Sequence, residues 1–282
     1  MGDFKKFLKS DGKKAEPATP QLPPAGSKAN VAVRPEASVA APALPTGTLA
    51  DRKAAYAQQG VQKQGRFAIL LDATGSMGCL IQMAKSEIGA IITNLSQETK
   101  GKATIVMVAY RDYIDMGPLV EVSEESGDAE YFVRWLQGIH AQGGGGNEGE
   151  AMDAGLREVE KRGKFDAILV AGDEPSLPNP SKYGPDSEPA RTMAKRMGTP
   201  IHTFAMGERP DCVADFRTIA SLSGGEAGQL DGSEAMRHMA VMAMLKGVRG
   251  ASAVRVYMDR YAGQLPATAE TFGRLLLGSG KK

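Results

Sequence analysis

The chain has 282 residues, with 34 Lys and Arg against 33 Asp and Glu and a formal net charge of +1. That near balance gives no global pull toward nucleic acid, and the length suits one domain of substantial core with extensions. The two cysteines, Cys79 and Cys212, lie far apart, which excludes a disulfide framework and suits a reducing compartment.

Residues 1–48 are expected to form a disordered basic arm. The first fourteen carry five lysines against two aspartates, and Ala15 to Thr48 is rich in Pro, Ala and small polar residues. Such a stretch buries too little apolar surface to offset chain entropy. The N-terminus lacks the apolar stretch of a secretory signal, and no apolar run is long enough to span a bilayer. A cytoplasmic protein without a transmembrane segment is therefore expected. Residues 49–65 have helix-forming composition and are expected to lead as a helix into a domain over 66–250.

Within that domain, Phe67 to Leu71 is a short, continuous apolar run, as expected of a parallel strand buried on both faces. It stops at Asp72-Ala73-Thr74-Gly75-Ser76, where a carboxylate and two hydroxyls share one tight turn. Three hard oxygens suit Mg²⁺ or a similar cation, although Asp72 or Ser76 could equally cap the next helix. That helix is marked by Leu80, Ala84, Ile88, Ile91, Ile92 and Leu95 at helical spacing. Cys79, at its start, is expected to be a small buried core residue. Lys102 to Ala109 is a second strand, running into Tyr110-Arg111-Asp112, and Pro118 to Val122 is an edge strand. The acidic residues Glu121, Glu124, Glu125, Asp128 and Glu130 read as a solvated face. Phe132, Trp135, Leu136 and Ile139 mark a helix in which Trp135 is core. Gly143 to Gly146 then leads through Asn147, Glu148, Gly149 and Glu150 into a helix over Ala151 to Lys161, the pattern of a site loop.

Phe165 to Ala171 is a third apolar strand, followed by Gly172-Asp173-Glu174-Pro175. Three strands therefore each run into an aspartate at the edge where open α/β sheets form their ligand crevice. Leu177 to Pro189, with four prolines, must be an irregular loop near that edge. A helix at Arg191 to Met197, a strand at Ile201 to Met206, a helix at Cys212 to Leu222, a strand at Gly225 to Leu230 and a helix at Ser233 to Val248 follow. The methionines of this last helix, Met236, Met239, Met242 and Met244, read as core. His140, His202 and His238 have no metal-ligand spacing. Residues 251–282 form a C-terminal helical extension that packs on the domain or on another chain.

From Arg66 to Arg249 these residues resemble a von Willebrand factor type A domain with a metal-ion-dependent adhesion site, in its bacterial and alpha-kinase-associated branch. That family places D-x-[ST]-x-S after its first strand, a Gly-Gly loop with a further oxygen ligand, and an Asp after its fourth strand. The resemblance implies a Rossmann-like, mainly parallel sheet with helices on both faces and one antiparallel edge strand. It implies Mg²⁺, or Mn²⁺ or Ca²⁺, held by Asp72, Thr74, Ser76 and Asp173. Integrin-type domains of the family have a threonine after the glycine loop. Here Glu150 falls at that position, with Asn147 and Glu148 as rivals and Asp112 as a further candidate. The extra carboxylate makes the site more negative and weakens partners that dock through Asp or Glu. The implied function is non-catalytic adaptor binding to a separate chain, such as an AAA+ ATPase or a kinase and phosphatase pair. A scaffold with a degenerate site is the alternative. A metal-dependent phosphohydrolase is the remote one, because no nucleophile and base pair accompanies the acids.

Overall fold

The computed structural model describes residues 64–101, 103–144 and 149–278. The arm over 1–48, most of the expected lead-in helix, and Asn147 and Glu148 lie outside the described residues. Among the described residues six strands form one sheet, β1 (Gly65–Asp72), β2 (Ala103–Tyr110), β3 (Val120–Val122), β4 (Ala167–Gly172), β5 (Ile201–Met206) and β6 (Ala227–Leu230), in the order β3-β2-β1-β4-β5-β6. All neighbours are parallel except the edge strand β3, which pairs antiparallel with β2. Of the lead-in helix expected over 49–65, only residues 64 and 65 are described, and Gly65 belongs to β1. Gly65 pairs with Ala103 in the β1–β2 ladder and so opens a strand.

Among the described residues eight α-helices join or follow these strands: α1 (Gly78–Thr99), α2 (Ala129–Gly138), α3 (Met152–Glu160), α4 (Ala190–Met197), α5 (Pro210–Ser223), α6 (Ser233–Arg249), α7 (Ala251–Arg260) and α8 (Ala267–Leu276). Alternation along β1 divides the core. Phe67, Ile69 and Leu71 face a cluster built with α1, α2 and α6 to α8, while Ala68 and Leu70 face one built with α3, α4 and α5. Each fully buried side chain of this size stabilises the fold by about 1.5–3 kcal/mol relative to exposure. All four methionines of α6 are core residues, and Trp135 packs half-buried against the same cluster. The C-terminal extension packs on the domain, with Tyr257, Phe272 and Leu276 buried in the first cluster. Cys79 departs from expectation: it is exposed, because Leu80 and Ile81 take the buried face of that turn. Among the described residues no helix is long and apolar enough to cross a membrane.

This strand order places the functional pole. From β1 the chain moves to β2 on one side, and later crosses back to β4 on the other. The carboxyl ends of β1 and β4 thus flank a topological switch point, where ligand crevices form in open α/β sheets. Asp72 ends the first strand and Asp173 follows the second.

Candidate metal centre

The turn after β1 folds back on its own acid. Asp72 Oδ1 accepts from the Thr74 amide at 2.9 Å and from Thr74 Oγ1 at 2.7 Å. Thr74 Oγ1 lies 3.4 Å from Ser76 Oγ, which donates to Asp173 Oδ1 at 3.2 Å. A continuous run of oxygens therefore links the ends of β1 and β4. Helix α1 starts without any side-chain cap, so capping is not the role of Asp72 or Ser76.

The first glycines of the loop close on this turn. The Gly75 amide donates to Gly143 O at 2.9 Å, and the Gln142 amide to Ala73 O at 3.0 Å. Gly144 has φ +82°, and a Cβ there would stand 2.9 Å from Thr74 Cβ, so only glycine fits without a shift. Its amide donates to Asp115 Oδ1 at 2.7 Å, which anchors the β2–β3 loop to the same place.

Glu150 is held by its backbone between two strand ends. Its amide donates to Pro175 O at 2.9 Å, its carbonyl accepts from the Leu177 amide at 3.0 Å, and the next amide reaches Arg111 O at 2.9 Å. The side chain is 4% exposed and turned inward. Asp72 is wholly buried and Asp112 nearly so, whereas Asp173 is half-buried and Ser76 exposed, which opens the site to solvent.

These acids press on one another. Burial pushes the Asp72 carboxyl up to about 7 against the Thr74 hydrogen bonds, with Asp173 and Asp112 adding to the rise. Burial likewise lifts Glu150 to about 9, helped by Asp72, Asp112, Asp115 and Asp173. Arg209 offers Asp173 some opposite charge, although its guanidinium is paired with Glu174 and Asp211. Arg111, though buried, is engaged with Glu121 at 2.8 Å and with Pro118 O and His140 O at 3.0 Å. Ionised acids crowded in this way disfavour the fold unless a proton or a cation joins them.

Asp72 Oδ2 and Glu150 Oε2 are buried without a hydrogen-bond partner among the described residues. Two unpartnered carboxylate oxygens, two adjacent hydroxyls and a half-exposed third acid form a donor set of the type Mg²⁺ takes, so the residues present fit a cation. Among the described residues no three His, Cys, Asp or Glu side chains form a metal-holding group by themselves. Any such set would therefore have to draw on the Thr74 and Ser76 hydroxyls.

Sequence reasoning missed Asp115 and Tyr110. The Tyr110 hydroxyl is buried without a partner among the described residues. A Cβ on Gly172 would lie 3.1 Å from it and 3.2 Å from Asp72 Oδ2, so Gly172 keeps that space open. The apolar run ending in Tyr110 signalled a strand, and nothing in it signalled that the hydroxyl would turn toward the acids.

Residues 66–161, about a third of the 282, match the family model described as the von Willebrand factor A domain. The match ends before Asp173, short of the Arg249 limit expected from the motifs. The pilus adhesin SpaC from Lactobacillus rhamnosus GG, in its open conformation, superposes with TM-score 0.50 at 12% identity, over 67% of this chain and 30% of the adhesin. That likeness is one of fold, and the chain spans under a third of the adhesin's length. The conserved hypothetical protein BatB from Bacteroides thetaiotaomicron has 15% identity and TM-score 0.45, over 65% of this chain and 98% of that one. A third similar structure, the SpRpn10 VWA domain, has 14% identity and TM-score 0.44, over 64% and 95%. No curated protein matches the sequence.

Proposed function

We propose that this chain is a non-catalytic protein-binding module whose partner-facing pole is organised by a divalent cation, Mg²⁺ foremost, with Mn²⁺ or Ca²⁺ as substitutes. Asp72, Thr74, Ser76, Glu150 and Asp173 would hold the ion. Asp112 adds negative charge to Asp72 and Glu150, and Asn147 and Glu148, close to Glu150 in sequence, are further candidates. The observation that carries this reading is the pair of buried, unpartnered oxygens on Asp72 and Glu150 beside two hydroxyls. The ion supplies positive charge that lets these acids stay ionised together. The chain's own residues fix the geometry: Thr74 orients Asp72, Ser76 ties β1 to β4, and Gly143 and Gly144 pack on the turn. The partner is a separate chain, and the family resemblance makes an AAA+ ATPase or a kinase and phosphatase pair the classes to try first.

Thermal denaturation with and without Mg²⁺ tests the reading. An ion at a hundred times its Kd stabilises a fold by about 2.7 kcal/mol, and Asp72→Ala should abolish that gain. No gain in the parent protein would contradict it. A second reading is a scaffold whose pole works without metal, favoured by the lack of three clustered metal-ligating acids among the described residues. Phosphatase activity that Asp72→Ala abolishes would refute both.

A further inference from the structure

The rim of this pole carries two apolar side chains that the fold leaves bare. On the β2–β3 loop Ile114 is 46% exposed and Met116 fully so. Among the described residues the other exposed large hydrophobic side chains, Leu222, Val256 and Leu275, belong to α5, α7 and α8. Ile114 and Met116 flank Asp115, whose carboxylate holds the Gly144 amide at 2.7 Å and the Asp112 amide at 3.2 Å. The Arg111 amide closes the same loop on Leu119 O at 3.0 Å. The two apolar groups are thus presented from a hydrogen-bonded turn beside the acids.

Charge decides what can approach them. Asp72, Glu150, Asp173, Asp112 and Asp115 are five acids at one pole, and a single divalent ion offsets two charges. Arg111 is engaged with Glu121, and Arg209, which also interacts with Asp173, is paired with Glu174 and Asp211, so one shared arginine does not balance the remaining acids. The pole stays negative with the ion in place and repels an Asp or Glu.

We propose that the partner docks through a segment in which a Lys or Arg stands beside a large aliphatic or aromatic side chain, the cation facing the acids and the apolar group covering Ile114 and Met116. This inference rests on the protein-binding reading of the pole. Such pairing follows the general anatomy of interfaces, where a desolvated apolar anchor supplies affinity and complementary charge supplies selectivity.

The test pans a random peptide library, displayed on phage, against the full chain in Mg²⁺, and titrates the selected peptides by fluorescence anisotropy. Enriched peptides should pair a basic with an apolar residue. The double variant Ile114→Ser, Met116→Ser should weaken them by about tenfold or more. Both side chains are exposed, so its thermal midpoint and Mg²⁺ response should match the parent's. An acidic consensus, no enrichment, or affinities unmoved by the double variant would overturn the proposal. If Mg²⁺ fails to stabilise the parent while basic peptides still depend on Met116, the ion reading falls and the docking surface stands.

Discussion

Glu150 is the residue on which the chemistry of the pole turns. It stands where the resemblance implies a threonine, and with its backbone bonded to Pro175 and Leu177 it is only 4% exposed. Glu150→Gln keeps the shape and removes an acid crowded by Asp72. The variant is expected to melt higher than the parent in chelator and to gain less from Mg²⁺, as read by differential scanning fluorimetry. His202 offers an independent check on burial. Its Nδ1 accepts from the Glu226 amide at 3.0 Å, and burial lowers its pKa to about 4. The folded state therefore takes up the proton later than the unfolded chain. Stability is full above the unfolded value near 6.5 and drains as pH falls toward 4, by roughly 3 kcal/mol in all. Urea unfolding at pH 7.5 and 5 should show a steeper loss for the parent than for His202→Gln; equal slopes would refute this account of the ring. The placement of Asp72, Ser76 and Asp173 at one sheet edge was legible in the sequence because each ends or follows a buried strand run. Asp115 was not, since it acts through an irregular loop on the Gly144 amide 29 residues away.

At the scale of elements, the strands and long helices could be read from periodicity, because each buries a continuous apolar face. The β5 bounds and the core role of the α6 methionines followed directly from that pattern. Junctions were less legible. The β1 boundary at Gly65 depends on pairing with Ala103, a partner that local pattern does not name. The C-terminal helices left open whether they cover this domain or another chain. The answer lies in long-range packing of Phe272 against Phe204 and His202, at ring separations of 5.2 and 5.9 Å. Phe272→Ala should therefore lower stability by about 3–5 kcal/mol in chemical denaturation, and a negligible change would contradict the packing. In the glycine loop, Gly144→Ala must adopt a left-handed backbone against Thr74, so a loss of about 1–3 kcal/mol and a weaker Mg²⁺ response are expected together.

For the whole molecule, strand order brings three separated loops to one end. Asp72, the Glu150 loop and Asp173 meet because β1 is central and the chain crosses from one side of it to the other. That convergence was legible only in outline, since strand-end acids could be counted but their order across the sheet could not. Both hydrophobic clusters are built, among the described residues, from positions 67–276. Removal of residues 1–48 should accordingly leave circular dichroism and the thermal midpoint unchanged, whereas loss of soluble folded protein would contradict this.

Anomalous diffraction from crystals soaked in Mn²⁺ addresses the pole most directly. A single peak enclosed by Asp72, Ser76, Glu150 and Asp173 is the expected result. Bound Mn²⁺ elsewhere with that space empty, or no peak at millimolar Mn²⁺, would contradict a cation-organised pole.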